Sequence, residues 1–328
     1  MENQPLISRR AWLGSASMAA TAGLTGLYAT TASSAPLKTP ALSAEEIAAI
    51  EGAIGKKGTY NEAQAVHTIA LPRNDLKIAI KTESVPISFG FGGWVSIKKT
   101  LDGKSAVLMS DTVLLQEEVN PLISAAQAAG LEVGAMHNHF FYEEPRIFYM
   151  HLHGMGSPEE LAKKFAMAIR DAKIAPANQP APTAPPAQTA KDIFDISALD
   201  AIVKYTGVVN GPTYKYTVGR QDLTVMSMGA EMTAAIGLNS WASFAGTKTN
   251  AHIAGDIAML GHEVNNVIKV LRDHRLEVVA VHNHMLDEDP RMIFLHYYGK
   301  GAVEELAKGF RAALDVLGKT PHGSHSGH

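Results

Sequence analysis

Two hydrophobic rhythms run along the chain. Alternating runs at residues 65–71, 76–82, 91–98 and 106–115 predict four β-strands. Glu117 to Ala129 changes to helical spacing, with Val119, Leu122, Ile123 and Ala126 on one face, and Gly130 follows as a left-handed cap. Residues 131–140 and 146–153 predict two more strands, joined through the turn Phe141-Tyr142-Glu143-Glu144-Pro145. Ser157-Pro158-Glu159-Glu160 then forms a capping box, and Leu161, Phe165, Ile169 and Ala172 mark the buried stripe of a final helix.

This pattern occurs twice. Asp111 to Phe165 lies over Asp256 to Phe310 without a gap, at a constant offset of 145. The pairs include Glu118 and Glu263, His137-Asn138-His139 and His282-Asn283-His284, Pro145-Arg146 and Pro290-Arg291, and His151 and His296. Upstream the offset is 147, which aligns Asp75 with Asp222 and Trp94 with Trp241; the turn holding Asp102-Gly103 in the first copy accounts for the change. The expected fold is therefore α+β: two tandem ββββ-α-ββ-α units, mainly antiparallel sheets with helices on one face, packed as a pseudo-dimer.

The expected boundaries are 46–175 for the first repeat and 191–318 for the second, with the Pro/Ala-rich stretch 176–190 as a linker and 319–328 as a His-rich tail. Residues 1–35 read as a twin-arginine signal segment: Arg9-Arg10 precede Trp12-Leu13 and a weakly apolar stretch, and small residues follow at Ala32 to Ala35. That pattern predicts a periplasmic or secreted protein with no stable membrane anchor after cleavage. Whether it forms an oligomer is left open.

Composition narrows the chemistry. The formal net charge is -3, with lysine and arginine scattered, so nucleic acid is not an expected partner. The chain has no cysteine, so any metal must be held by His, Asp or Glu. On a strand, His137 and His139 would share a face at about 7 Å, and a hairpin turning about Glu144 would set His151 opposite His137. His282, His284 and His296 repeat the arrangement. Glu118 and Glu263, at the helix starts, are the expected fourth ligands, with Glu144 and Asp289 next in line and candidate proton carriers. The competing view is that the histidines are structural, bonded to backbone, and the two glutamates are helix caps. His153 against Tyr298 and His67 against Tyr214 break the symmetry, so two related sites are expected that differ in detail.

Three motif matches are weaker. HNH nucleases spread their residues over a ββα unit rather than a tripeptide. The spacing His137-x-His139-x4-Glu144 is shared with a cupin motif, but two amphipathic helices per copy oppose a plain cupin barrel. Gly-x-Ser-x-Gly, P-loop and His-Glu-x-x-His motifs are absent.

The run EVNPLISAAQAAGLEVGAMHNHFFYEEPRIFYMHLHG and its echo EVNNVIKVLRDHRLEVVAVHNHMLDEDPRMIFLHYYG resemble the LppY/LpqO family, a bacterial family of unassigned function. The resemblance covers both copies and implies an extracytoplasmic setting, although this chain lacks a lipobox cysteine. The expectation is an exported protein that binds a divalent metal, zinc first, with Mn or Fe as alternatives. Its activity would be metal-dependent hydrolysis of a small molecule or an envelope-derived substrate. A non-catalytic metal- or ligand-binding module and a cupin-like Fe/Mn oxygenase or isomerase are the alternatives.

Overall fold

The computed structural model describes residues 39–172, 174–176 and 187–319. The twin-arginine segment, most of the linker and residues 320–328 of the tail lie outside the described residues.

Copy one runs α1 (Ala44–Ile54), β1 (Thr59–Asn61), β2 (Val66–Pro72), β3 (Ile78–Ile80), β4 (Glu83–Val85), β5 (Gly92–Lys99) and β6 (Ala106–Leu115). It continues through α2 (Gln116–Ala128), β7 (Glu132–His137), β8 (Glu143–Glu144), β9 (Ile147–Gly156) and α3 (Pro158–Asp171). Copy two runs α4 (Ala190–Ile193), α5 (Ile196–Val203), β10 (Val208–Asn210), β11 (Thr213–Gly219), β12 (Val225–Ser227), β13 (Ala230–Met232) and β14 (Asn239–Gly246). It ends with β15 (Ala251–Leu260), α6 (Val264–Asp273), β16 (Glu277–His282), β17 (Met292–Gly301) and α7 (Val303–Asp315).

Each copy builds a six-stranded antiparallel sheet of the same order, β1-β2-β5-β6-β9-β7 and β10-β11-β14-β15-β17-β16. Alternation assigns the faces. Ala106, Leu108 and Leu114 of β6 pack with Met150 and Leu152 of β9 under α1, α2 and α3, which contribute Ile50, Leu122 and Phe165. The positions between them, Val107, Met109, Asp111 and Val113, point the other way. Copy two repeats this, with Ile253, Ile257 and Met259 of β15 under Leu271 and Phe310. The fold is thus α+β, with two tandem copies whose helices cover one face of each sheet.

The other faces meet. Val66, Val107 and Met109 of copy one pack with Val225, Met232 and Phe294 of copy two, and Ile78, Ile80 and Val85 of copy one pack with Ala245, Ala254 and Tyr298 of copy two. Of the expected strand 76–82 only Ile78–Ile80 is strand, the first arm of the short hairpin β3–β4, which leaves the six-stranded sheet and packs with residues of the partner copy. The hairpin β12–β13 does the reverse. Polar contacts bind the exchange: Glu83 pairs with His252 at 2.9 Å and with Lys300, and Leu101 N donates to Gly229 O at 3.0 Å. The described residues of both copies belong to one compact unit.

Candidate metal centre between the two copies

The register of β7 on β9 differs from the expected hairpin. His137 lies opposite Tyr149, and His151 opposite Ala135, after a bulge between Val133 and Ala135. The turn is not tight, because Glu143 and Glu144 form their own short strand on β3. The shift is two residues, so His137 and His151 keep the same face. His139 lies beyond the end of β7, in a bend rather than on the strand, and His284 does the same after β16.

Because those faces meet, the six histidines form one cluster instead of two sites. His137 stacks on His282 with ring centroids 3.7 Å apart, His139 on His296 at 3.6 Å, and His151 lies 4.0 Å from His284. His137 Nε2 is 3.1 Å from His139 Nε2 and 3.1 Å from His296 Nε2, so the closest trio draws on both copies.

The cluster is poised for a cation. His151, His282 and His296 donate from Nδ1 to the carbonyls of Ser110, Asn283 and Gly255 at 3.0, 2.9 and 3.1 Å. Burial lowers the pKa of all six, with the neighbouring histidines adding to the effect at His137, His139, His151 and His284; His296 falls to about 3. A neutral imidazole bonded through Nδ1–H leaves its lone pair on Nε2, aimed inward. The His296 nitrogen therefore cannot donate to His137. A single Nε2–H on His137 could satisfy only one of its two 3.1 Å contacts. Nε2 of His151, His282 and His284 is buried with no partner. Buried imidazole nitrogens left without a hydrogen bond are costly unless a cation sits among them. Nitrogens 3.1 Å apart also match two ligands of one ion at the usual ~2.0–2.1 Å.

Among the described residues three groups could hold a metal ion: Asp256, His282, His284 and His296; His137, His139 and His296; and His137, His151 and His282. Any two of them share a histidine, and a neutral imidazole has one lone pair, so the groups overlap as parts of one cluster rather than standing as three sites.

The carboxylates differ from expectation. Glu118 and Glu263 are not ligands. Glu118 accepts from Arg73 at 2.7 Å and from Leu115 N at 2.7 Å; Glu263 accepts from Arg220 at 2.7 Å and from Leu260 N at 2.6 Å. Glu118 thus caps the start of α2, the role that competes with ligation, whereas Glu263 bonds back to the turn before α6; each is held by a buried arginine. Arg73 and Arg220 recur at the offset of 147, a signal visible in the sequence. Glu144 and Asp289 are exposed, and neither lines the cavities at the cluster. Their backbones pair with Ala79 and Met226, which holds them in the exchanged hairpins.

Asp111 and Asp256 occupy the carboxylate positions instead. They sit on β6 and β15 directly across from His151 and His296. Asp256 Oδ2 lies 3.4 Å from His284 Nε2, and its Oδ1 accepts from Leu295 N at 3.0 Å. Asp111 Oδ1 is buried without a partner, and burial, followed by the nearby Asp256, raises its pKa well above the carboxylate range. Their repeat and their place on the inward face of a strand were readable; the depth of the face was not.

The asymmetric residues have other work. His153 donates from Nε2 to His284 O at 2.6 Å, while its counterpart Tyr298 meets His252 Nδ1 at 2.8 Å. His67 lies 3.5 Å from Glu51, and Tyr214 donates to Asp200. Arg146 and Arg291 pair with Glu143 and Glu288 at 3.4 and 3.2 Å. Trp94 and Trp241 wall a cavity of about 790 Å³ that reaches Asp111, His139 and Lys215. A smaller one of about 190 Å³ continues to Asp256, His284 and His296.

No curated protein matches the sequence. Among solved structures, the trimeric bacterial microcompartment shell protein PduB is similar over 79% of this chain and 91% of its own, at 10% identity and a TM-score of 0.19. EtuB from Clostridium kluyveri is similar over 79% and 89%, at 8% identity and a TM-score of 0.18. At such scores neither fold nor function follows from these likenesses. The family described as Domain of Unknown Function (DUF1259) matches residues 48–171 and 197–316, one match in each copy, and the chain belongs to that family.

Proposed function

We propose that the protein is a metal-dependent hydrolase of a small molecule, exported through its twin-arginine segment, with zinc at the cluster formed by the two copies. The observation that carries this reading is the convergence of His137, His139 and His296 nitrogens at 3.1 Å, beside a cavity of about 790 Å³. A closed cluster would suit storage; a cluster whose His139 and Asp111 line a cavity suits catalysis. Nitrogen donors with one carboxylate suit zinc, and the absence of thiolates leaves Mn and Fe as competitors.

A bound divalent ion supplies Lewis-acid activation of water and of a carbonyl or phosphoryl oxygen. The chain's own residues do the rest. Trp94 and Trp241 exclude bulk water. Asp111, rather than Glu144 or Asp289, exchanges a proton at the cavity.

The test is elemental analysis of untagged protein, beside hydrolysis of 4-nitrophenyl acetate and 4-nitrophenyl phosphate with and without chelator. The expected result is stoichiometric metal and chelator-sensitive turnover of one ester, both lost in His137→Ala/His139→Ala and in His282→Ala/His284→Ala. Unchanged metal content in both double variants would overturn the assignment, and turnover indifferent to chelator would overturn the hydrolase.

A further inference from the structure

The cavity at the cluster breaks the pseudo-symmetry of the molecule. At the offset of 147, Lys215 stands where copy one has Thr68, and Asn239 and Ser240 stand where it has Gly92 and Gly93. The copy-one side is therefore open: a Cβ added at Gly92 meets nothing within 4 Å. On the copy-two side, Asn239 folds back to donate to Ala234 O at 2.8 Å. One side admits a ligand and the other is narrowed.

The larger cavity is lined by Pro72, Pro86, Ile87 and Pro212 together with Trp94 and Trp241. Among its lining residues Lys215 is the one lysine or arginine and Asp111 the one carboxylate. The Lys215 side-chain nitrogen lies 4.5 Å over the Trp241 ring; burial lowers its pKa, and the nearby Asp111 and Asp256 oppose that by favouring the ammonium. Among the described residues no carboxylate makes an ion pair with it. A half-buried lysine with an aromatic face beneath it and no ion-pair partner presents its charge to the cavity.

We propose that this cavity binds a small monocarboxylate with an apolar body, the carboxylate on the Lys215 ammonium and the body against Trp94 and Trp241. One lysine balances one negative charge; a dianion would leave excess charge beside the buried Asp256 carboxylate. This assigns a substrate class to the site and so rests on the hydrolase reading, while the anchor is Lys215 rather than an ion.

The test is calorimetric titration of the full chain after chelator treatment, with 2-naphthoate, 2-naphthamide and 2-naphthyl phosphate as probes. Naphthoate is expected to bind about tenfold more tightly than the amide, the effect of one charge-assisted hydrogen bond, and more tightly than the phosphate. Lys215→Met should erase the preference over the amide and Lys215→Arg should keep it. Gly92→Trp, built into open space, should weaken all binding by more than about tenfold. Equal affinity for the amide, unchanged affinity in Lys215→Met or in Gly92→Trp, or no binding of naphthoate would each overturn the proposal. Should Lys215→Met fail to fold, Lys215→Arg and Gly92→Trp still decide. Metal content measured before chelation separates the two readings: preference retained in protein that never held metal overturns the hydrolase alone.

Discussion

Which nitrogen of a neutral imidazole carries the lone pair is settled by what the other nitrogen touches. At His151, His282 and His296 the backbone takes Nδ1–H, so the structural bond and the ligating role are two ends of one ring. Carboxylates divide in the same way by their neighbours. Glu263 is buried against Arg220 and two backbone amides, so its replacement by alanine leaves a buried guanidinium uncompensated. Glu263→Ala should lose about 3 kcal/mol or more in chemical denaturation. Its folded fraction should retain the metal content of wild type, which a ligand could not.

Lys98 tests burial of a charge away from the cluster. Desolvation lowers its pKa from 10.5 to about 8, with Glu231 opposing. Between those values the unfolded chain holds a proton that the folded chain has lost, so this group makes stability rise with pH across that window. Below pH 8 the folded protein bears the full cost of the buried ammonium. Lys98→Met should therefore be more stable at pH 7 and should lack that rise in denaturant titrations between pH 8 and 10. Parallel pH curves for the two proteins would contradict this.

At the scale of elements, the two copies come close at the bulge of β7. A Cβ on Gly134 would meet His284 O at 2.5 Å and the His153 ring, and Asn283 Nδ2 donates to Gly134 O at 2.9 Å. Gly134→Ala should cost about 1–3 kcal/mol by forcing β7 and β16 apart, whereas Gly92→Ala should be near neutral. Thermal unfolding of the two variants makes the comparison. Most elements were legible from their periodicity: β2, β5, β6, α2, β9 and α3 overlap the expected runs, β9 running three residues past its expected end. The strand at 76–82 was not, because its apolar residues, Ile78 and Ile80, are buried between residues of both copies rather than in its own main sheet. Alternation reports that one face is covered, without saying by what. The His151 register failed for a related reason: a nine-residue excursion recruited by β3 looks, in sequence, like a hairpin turn.

At the scale of the molecule, duplication supplied each copy with three histidines and an aspartate, and face-to-face packing joined them. The six histidines were readable from the repeat alone; their union was not, since it depends on which sheet faces meet. The exchanged hairpins hold that union in place, with Lys81 bonded to Glu277 at 2.8 Å and Glu83 to His252 at 2.9 Å. The copies differ at the rim, where Gly92 leaves one side open and Lys215 replaces Thr68.

Anomalous X-ray scattering from crystals of untagged protein, recorded across the metal's absorption edge, tests the shared centre most directly. The prediction is a peak about 2.0–2.1 Å from imidazole nitrogens of both copies, with His137, His139 and His296 among its ligands. Two separate peaks, each ligated by the histidines of one copy alone, or no peak within the cluster, would contradict it.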